Sequence, residues 1–197
     1  MSHYFDPSPN ARSQPRLVTV VLPGDAFEFE TDHGVFSHGR LDTGTKFLLT
    51  DAPEPPEVGT FLDLGCGSGP IALALARRRP RARVVAVDVN ARARELTERN
   101  ARRLSLDNVE VLDPASVDPS LRFDLVWSNP PIKVGKAELH ALLETWLPRL
   151  APNGRAVLVV NKNLGSDSLH KWLIERGYPT VRHGSRAGYR LLVVSPG

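Results

Sequence analysis

Two short stretches hold the residue types from which chemistry could be built. Residues 60–70 read TFLDLGCGSGP, an apolar run that carries Asp63, breaks into Gly65, Gly67 and Gly69, and continues through Pro70. Glycines at alternate positions let a backbone turn tightly and approach a ligand with no side chain between them. An acidic residue just before such a turn would repel phosphate and would favour an ammonium or a sulfonium. Asp88 closes a second apolar run, VVAVDVN, where a carboxylate can accept hydrogen bonds from both hydroxyls of a ribose. The second stretch, WSNPPI at 127–132, ends an apolar run in an amide and two prolines. The side-chain oxygen of Asn129 and the carbonyl of Pro130 can point into one small space. Two acceptors so placed hold both protons of a flat exocyclic amine and bias its nitrogen toward a pyramidal, nucleophilic form. Pro130 and Pro131 stiffen the corner. The chemistry implied is a cationic nucleoside cofactor at the first stretch and an amine presented to it at the second.

Both stretches need a sheet to hold them. From Thr60 onward apolar runs alternate with helical patterns. Strands are expected at 60–64, 83–88, 109–112, 123–128 and 155–161, and helices at 70–79, 91–104, 136–150 and 166–176. Pro152-Asn153-Gly154 reads as the stop of the third of these helices, and Gly177 as that of the fourth. A last pair of strands near 180–183 and 189–194 flanks a turn. Continuous apolar strands with helices between them predict an α/β fold with a doubly wound, mostly parallel sheet of seven strands, the terminal strand antiparallel. Ahead of it, 16–22 and 26–30 predict a hairpin across Pro23-Gly24-Asp25, and Asp42 or Thr43 can cap a short helix bearing Phe47, Leu48 and Leu49. Residues 1–15 read as a mobile arm and 16–197 as one domain, with 16–59 as hairpin and cofactor-covering segment and 60–197 as core sheet.

The glycine spacing G-x-G-x-G, closing on Pro70, is not the G-x-G-x-x-G of dinucleotide sites, which counts against a nicotinamide-dependent oxidoreductase. DLGCGSGP followed by VDVN resembles the first two motifs of class I S-adenosylmethionine-dependent methyltransferases. Asn129-Pro-Pro resembles the loop of amino-methyltransferases acting on adenine, guanine or glutamine nitrogen. With Gly34-Val-Phe-Ser37, Leu41-Asp-x-Gly-Thr45 and Gly135-Lys136, the chain is similar to the small methyltransferase-domain family, whose best-known members are the C-type guanine-N2 methyltransferases of small-subunit ribosomal RNA. The resemblance implies a Rossmann-like methyltransferase fold and S-adenosyl-L-methionine as cofactor. Gly65, Gly67 and Gly69 would line its methionine part, Asp88 with Val89 would meet its ribose side, and Asp113 is the candidate on the adenine side. Asp42 and Thr45 would fold over the methionine end, and Asn129 would face cofactor and amine alike. Cys66, inside the glycine turn and with no basic partner nearby in sequence, reads as packing in a turn whose backbone lines the cofactor.

On the acceptor side the family often places an aromatic ring after the two prolines, and this chain has Ile132. Phe36 is the candidate replacement platform. Lys133, and Lys136 at the start of a helix, suit a phosphate, and Arg186 is placed to border the rim. Of the 25 basic residues 20 are arginines, with a net charge of +3 and a pI near 9.3. Those at 77–83 and 92–103 read as a solvated flank, since Glu95 and Glu98 lie among them. The single cysteine excludes a disulfide framework and fits a reducing cytoplasm. The histidines carry no metal spacing and no run is long enough to cross a bilayer. The expectation is a cytoplasmic enzyme, monomeric and free of metal. It would methylate the exocyclic N2 of a guanine in ribosomal RNA or in a small-subunit particle. Adenine N6, a protein glutamine or a small molecule are the other acceptors, and a non-catalytic RNA-binding module is the reading outside enzymes.

Overall fold

The computed structural model describes residues 13–131 and 135–197. Strands β1 (Arg16–Leu22) and β2 (Asp25–Thr31) form an antiparallel hairpin in the register Leu17↔Glu30 to Leu22↔Asp25. Their alternation buries Val18, Val20 and Leu22 from one strand and Phe27 and Phe29 from the other. Helix α1 (Thr43–Asp51) follows, capped by Asp42, whose carboxylate accepts the Thr45 N–H at 2.9 Å. The main sheet then builds through β3 (Thr60–Leu64), α2 (Pro70–Arg78), β4 (Arg83–Val87), α3 (Ala91–Arg103), β5 (Val109–Leu112), β6 (Phe123–Ser128), α4 (Lys136–Trp146), β7 (Leu150–Asn161), α5 (Ser166–Glu175), β8 (Thr180–Arg186) and β9 (Tyr189–Val194). Its strand order is β5-β4-β3-β6-β7-β9-β8. Every pairing from β5 to β7 is parallel, while β9 runs antiparallel to both its neighbours.

The chain winds outward from β3 to β5, returns to β6 beside β3, and winds the other way. That reversal opens a crevice beyond the carboxyl ends of β3 and β6, where open α/β sheets bind ligands. Side chains alternate between two cores. Phe61, Leu125, Trp127 and Val159 pack with α1, α2 and the hairpin. Leu62, Val126 and Leu158 pack with Leu139, Leu143, Leu169 and Leu173 of α4 and α5. Trp127 is fully buried two residues before Asn129, and emptying such a site costs about 3–5 kcal/mol. The strand delivering the amide is therefore rigidly seated.

Two expectations are corrected. Helix α4 ends at Trp146 in a 3-10 turn, Leu147–Arg149, and not at Leu150. Pro148 has no N–H to continue the ladder. Pro152-Asn153-Gly154 lies within β7, not at a helix stop. The register there shifts from Phe123↔Leu150 to Leu125↔Arg155, and a Cβ on Gly154 would come within 2.5 Å of the Phe123 carbonyl. The glycine serves a close strand approach. Of the arm, residues 13 and 14 are held, for Ser13 Oγ and the Gln14 N–H donate to Asp32 at 2.8 and 2.6 Å; residues 1–12 lie outside the described residues.

Candidate active site

The turn after β3 is built from backbone alone. Gly65, Gly67 and Gly69 take φ of 80°, 57° and 90°, a region that costs other residues about 1–2 kcal/mol each. The N–H groups of Gly65 and Cys66 both donate to the Val87 carbonyl at 2.9 Å, fixing the turn to the end of β4. Two residues of α3 that the sequence reading did not single out hold its other side. Thr97 Oγ1 donates to the Gly67 carbonyl at 3.0 Å, and Asn100 Nδ2 to the Ser68 carbonyl at 2.9 Å. Asn100 also exchanges hydrogen bonds with both backbone groups of Glu30, tying hairpin to turn. The only advance signal was two polar residues three apart in a helix, each at a buried position.

Asp63 is wholly buried. One oxygen, Oδ2, accepts the Ala72 N–H at 2.9 Å, replacing the side-chain cap that Gly69 cannot give α2. The other, Oδ1, is buried with no hydrogen-bond partner among the described residues. Burial, with the nearby Asp88 adding to it, pushes this carboxyl up to about 8 against the pull of the Ala72 N–H. An unpartnered buried carboxyl oxygen beside a glycine turn is what a cationic ligand group would satisfy. Asp88, also buried, accepts the N–H groups of Gly67 and Asn90, each at 2.9 Å. Burial raises its pKa, opposed by those two hydrogen bonds and by Arg94. Cys66 is buried and its thiol is pushed far up by burial, then by Asp88 and Asp63; it stays protonated.

Asn129 stands where β6 ends. Its Nδ2 donates to Asp42 Oδ2 at 2.8 Å and to Thr45 Oγ1 at 3.0 Å. The segment expected over the cofactor thus reaches the amide itself, across more than eighty residues of chain. Ser128 Oγ donates to the Leu64 carbonyl at 2.6 Å, joining the ends of β6 and β3 where both loops begin. The structure ties the glycine turn to Asp88 and ties Asn129 to Asp42 and Thr45, the two groups standing at the ends of the neighbouring strands β3 and β6.

The remaining expected residues are held by other elements. Val35, next to Phe36, packs on Ala93 and Leu96 of α3, and Gly34 and His33 are tied to α3 by Asn90 and Arg92. Phe36, the next residue on this α3-tied segment, is 41% exposed, and Val89 is half-exposed. Asp113 caps the turn after β5 through the Ala115 N–H and pairs with Arg94 at 3.1 Å. Lys136 opens α4 beyond Gly135. Arg186 pairs with Asp51 at 3.3 Å. Ile132 and Lys133 lie outside the described residues. Many of the flank arginines are engaged within the protein: Arg77 with Asp25, Arg79 with Glu54 and Glu57, Arg83 with Glu110, Arg99 with Glu30, and Arg103 with Glu28. Among the described residues no helix is long and apolar enough to cross a membrane, and no three His, Cys, Asp or Glu side chains could hold a metal.

A sheet with this strand order, a glycine turn on β3 and an acid closing β4 defines the class I S-adenosylmethionine-dependent methyltransferases. The family described as methyltransferase small domain matches residues 26–191, and the chain belongs to it. It is 34% identical over 169 residues to the uncharacterized protein YbxB of Bacillus subtilis, covering 84% of each. It is 35% identical over 150 residues to ribosomal RNA small subunit methyltransferase C of Pseudoalteromonas translucida, covering 74% of this chain and 44% of that one. Among solved structures, a T. thermophilus 16S rRNA N2 G1207 methyltransferase, in complex with AdoMet and guanosine, superposes with a TM-score of 0.78 at 26% identity, over 96% of this chain and 52% of that one. This chain therefore spans about half the length of these named rRNA methyltransferases.

Proposed function

We propose that this chain transfers the methyl group of S-adenosylmethionine to the exocyclic N2 of a guanine in small-subunit ribosomal RNA. It would act as a cytoplasmic monomer on the RNA or the subunit particle, with residues 16–197 as one catalytic domain. The observation that carries the reading is the orientation of Asn129. Both its amide protons are directed to Asp42 and Thr45, so its carbonyl oxygen is the group left to meet an amine, beside the Pro130 carbonyl.

The cofactor, when bound, supplies an electrophilic methyl on a sulfonium. Gly65, Gly67 and Gly69 would let the backbone approach its methionine part, Asp63 Oδ1, on giving up its proton, would suit its ammonium, and Asp88 its ribose. Asn129 Oδ1 and the Pro130 carbonyl take the two amine protons and aim the nitrogen lone pair. As the nitrogen–carbon bond forms the sulfur–carbon bond breaks, and the amine proton leaves to water afterwards, so no side chain need act as base. Catalysis is positioning and electrostatics. A base inside folded RNA must be unpaired or flipped out to reach Asn129.

The test is incubation with labelled S-adenosylmethionine and small subunits from cells lacking this protein, followed by nucleoside mapping. N2-methylguanosine is the expected product. N6-methyladenosine or labelled protein would move the activity to another amine. Asn129→Ala should abolish labelling while cofactor binding persists; NAD(P) outcompeting S-adenosylmethionine in a titration would overturn the class of chemistry.

A further inference from the structure

We propose that Asp42 and Thr45 are positioning residues for the acceptor amine, acting by fixing which way the Asn129 amide faces. This rests on the reading of Asn129 as the amine-orienting residue and goes beyond the cofactor-covering part that the family resemblance assigns to the segment.

An amide can sit in two orientations related by a half-turn, and only one offers its oxygen to an amine. The choice here is made by charge. A carboxylate oxygen accepts and never donates. Asp42 Oδ2, 2.8 Å from Asn129 Nδ2, would face the Asn129 oxygen lone pair to lone pair if the amide turned over. Thr45 Oγ1, at 3.0 Å, holds the second proton but could itself donate, so it aligns the amide without selecting its orientation. Asp42 is the selector.

Asp42 is in turn immobilised. The same Oδ2 accepts the Thr45 N–H at 2.9 Å and caps α1. The first turn of α1 is also packed by Tyr189, the first residue of β9. A Cβ placed on Gly44 would meet the Tyr189 ring at 2.7 Å and Asp42 Oδ2 at 3.0 Å. The ring thus lies directly on the turn that holds Asp42 and Thr45. A line of contacts runs from β9 through Tyr189 and Gly44 to Asp42 and on to Asn129.

Asp42→Asn keeps a good helix cap but replaces an obligate acceptor by a group that can also donate, so both Asn129 orientations become satisfiable. Thr45→Val removes the aligning hydroxyl at nearly constant volume, and Thr45→Ser restores it. The full chain, loaded with S-adenosylhomocysteine, is read three ways: the Asn129 side-chain resonances in a proton–nitrogen spectrum, assigned by their loss in Asn129→Ala; S-adenosylmethionine affinity by calorimetry; and single-turnover methyl transfer to small-subunit RNA. The expected result is that Asp42→Asn shifts the Asn129 pair and speeds its solvent exchange, and slows transfer about a hundredfold, the scale of a misplaced reacting group, while cofactor affinity falls by far less than the rate. Thr45→Val gives a smaller loss that Thr45→Ser recovers. An unmoved Asn129 pair, or cofactor affinity falling in step with the rate, overturns the inference. Should the wild type transfer nothing to RNA, the proposed function fails, and the resonance and affinity measurements still decide this one.

Discussion

Asp63 gives one carboxylate oxygen to the N–H of Ala72, at 2.9 Å and nine residues along the chain, and leaves its other oxygen buried without a partner. A group so enclosed holds its proton. The unfolded chain releases it near 3.8, the folded chain near 8. Between those values the folded state binds the extra proton, so this group's contribution to stability falls as pH rises through the window, by at most about 1.4 kcal/mol per pH unit.

Asp63→Asn is neutral throughout and keeps an acceptor for Ala72. Urea melts should show the variant gaining on the wild type from pH 4 to pH 8, with the gap levelling above pH 8. Parallel curves for the two proteins would mean that Asp63 is ionised across the range.

Asp88→Ala strips the acceptor from the Gly67 and Asn90 N–H groups. Leaving buried donors unpaired costs about 1–3 kcal/mol, and the variant should unfold at correspondingly lower urea. With the turn unpinned, calorimetric affinity for S-adenosylmethionine should fall by at least about tenfold, and Asp88→Asn should recover part of it.

Gly44→Ala would ordinarily stabilise a helix by up to about 1 kcal/mol. Here the added methyl meets the Tyr189 ring and the Asp42 carboxylate, so the variant should lose stability. Tyr189→Val makes room, and a double-mutant cycle by urea melts should show the two changes costing less together than the sum of each alone.

Arg99 and Arg103 face Glu30 and Glu28 across a 3.9 Å gap and should be neutral toward RNA. Replacing either by alanine should leave the dependence of small-subunit RNA affinity on salt unchanged. Lys136→Ala, at the open start of α4, should lower the log–log slope by about 0.7–0.9, the loss of one phosphate contact.

Strands β1, β3, β5, β6 and β9 were legible to the residue because their apolar runs end on turn-forming types, and the glycine turn because nothing else tolerates three positive φ angles so close together. The end of α4 was misread because Pro152-Asn153-Gly154 has the composition of a helix stop. Only the strand pairing reveals that Gly154 lies against the Phe123 carbonyl. Phe36 was singled out by its type alone, and the packing of its neighbour Val35 on α3 has no local signal in the sequence. The partners of Asn129 come from residues more than eighty positions away, and those of the glycine turn from Thr97 and Asn100. Neither pairing has a local pattern, because each exists only once the sheet has closed.

The main-chain pairing of β3 with β6 runs to Asp63↔Trp127, and the hydroxyl of Ser128 adds one more stitch, to the Leu64 carbonyl. The two loops therefore part company from a common, sewn hem. The spacing of the two loops at their roots is thereby set by neighbouring strands. Outer residues can be exchanged to suit a different acceptor while that spacing stays as it is, which makes the rim, and not the interior, the place where relatives with other targets should differ.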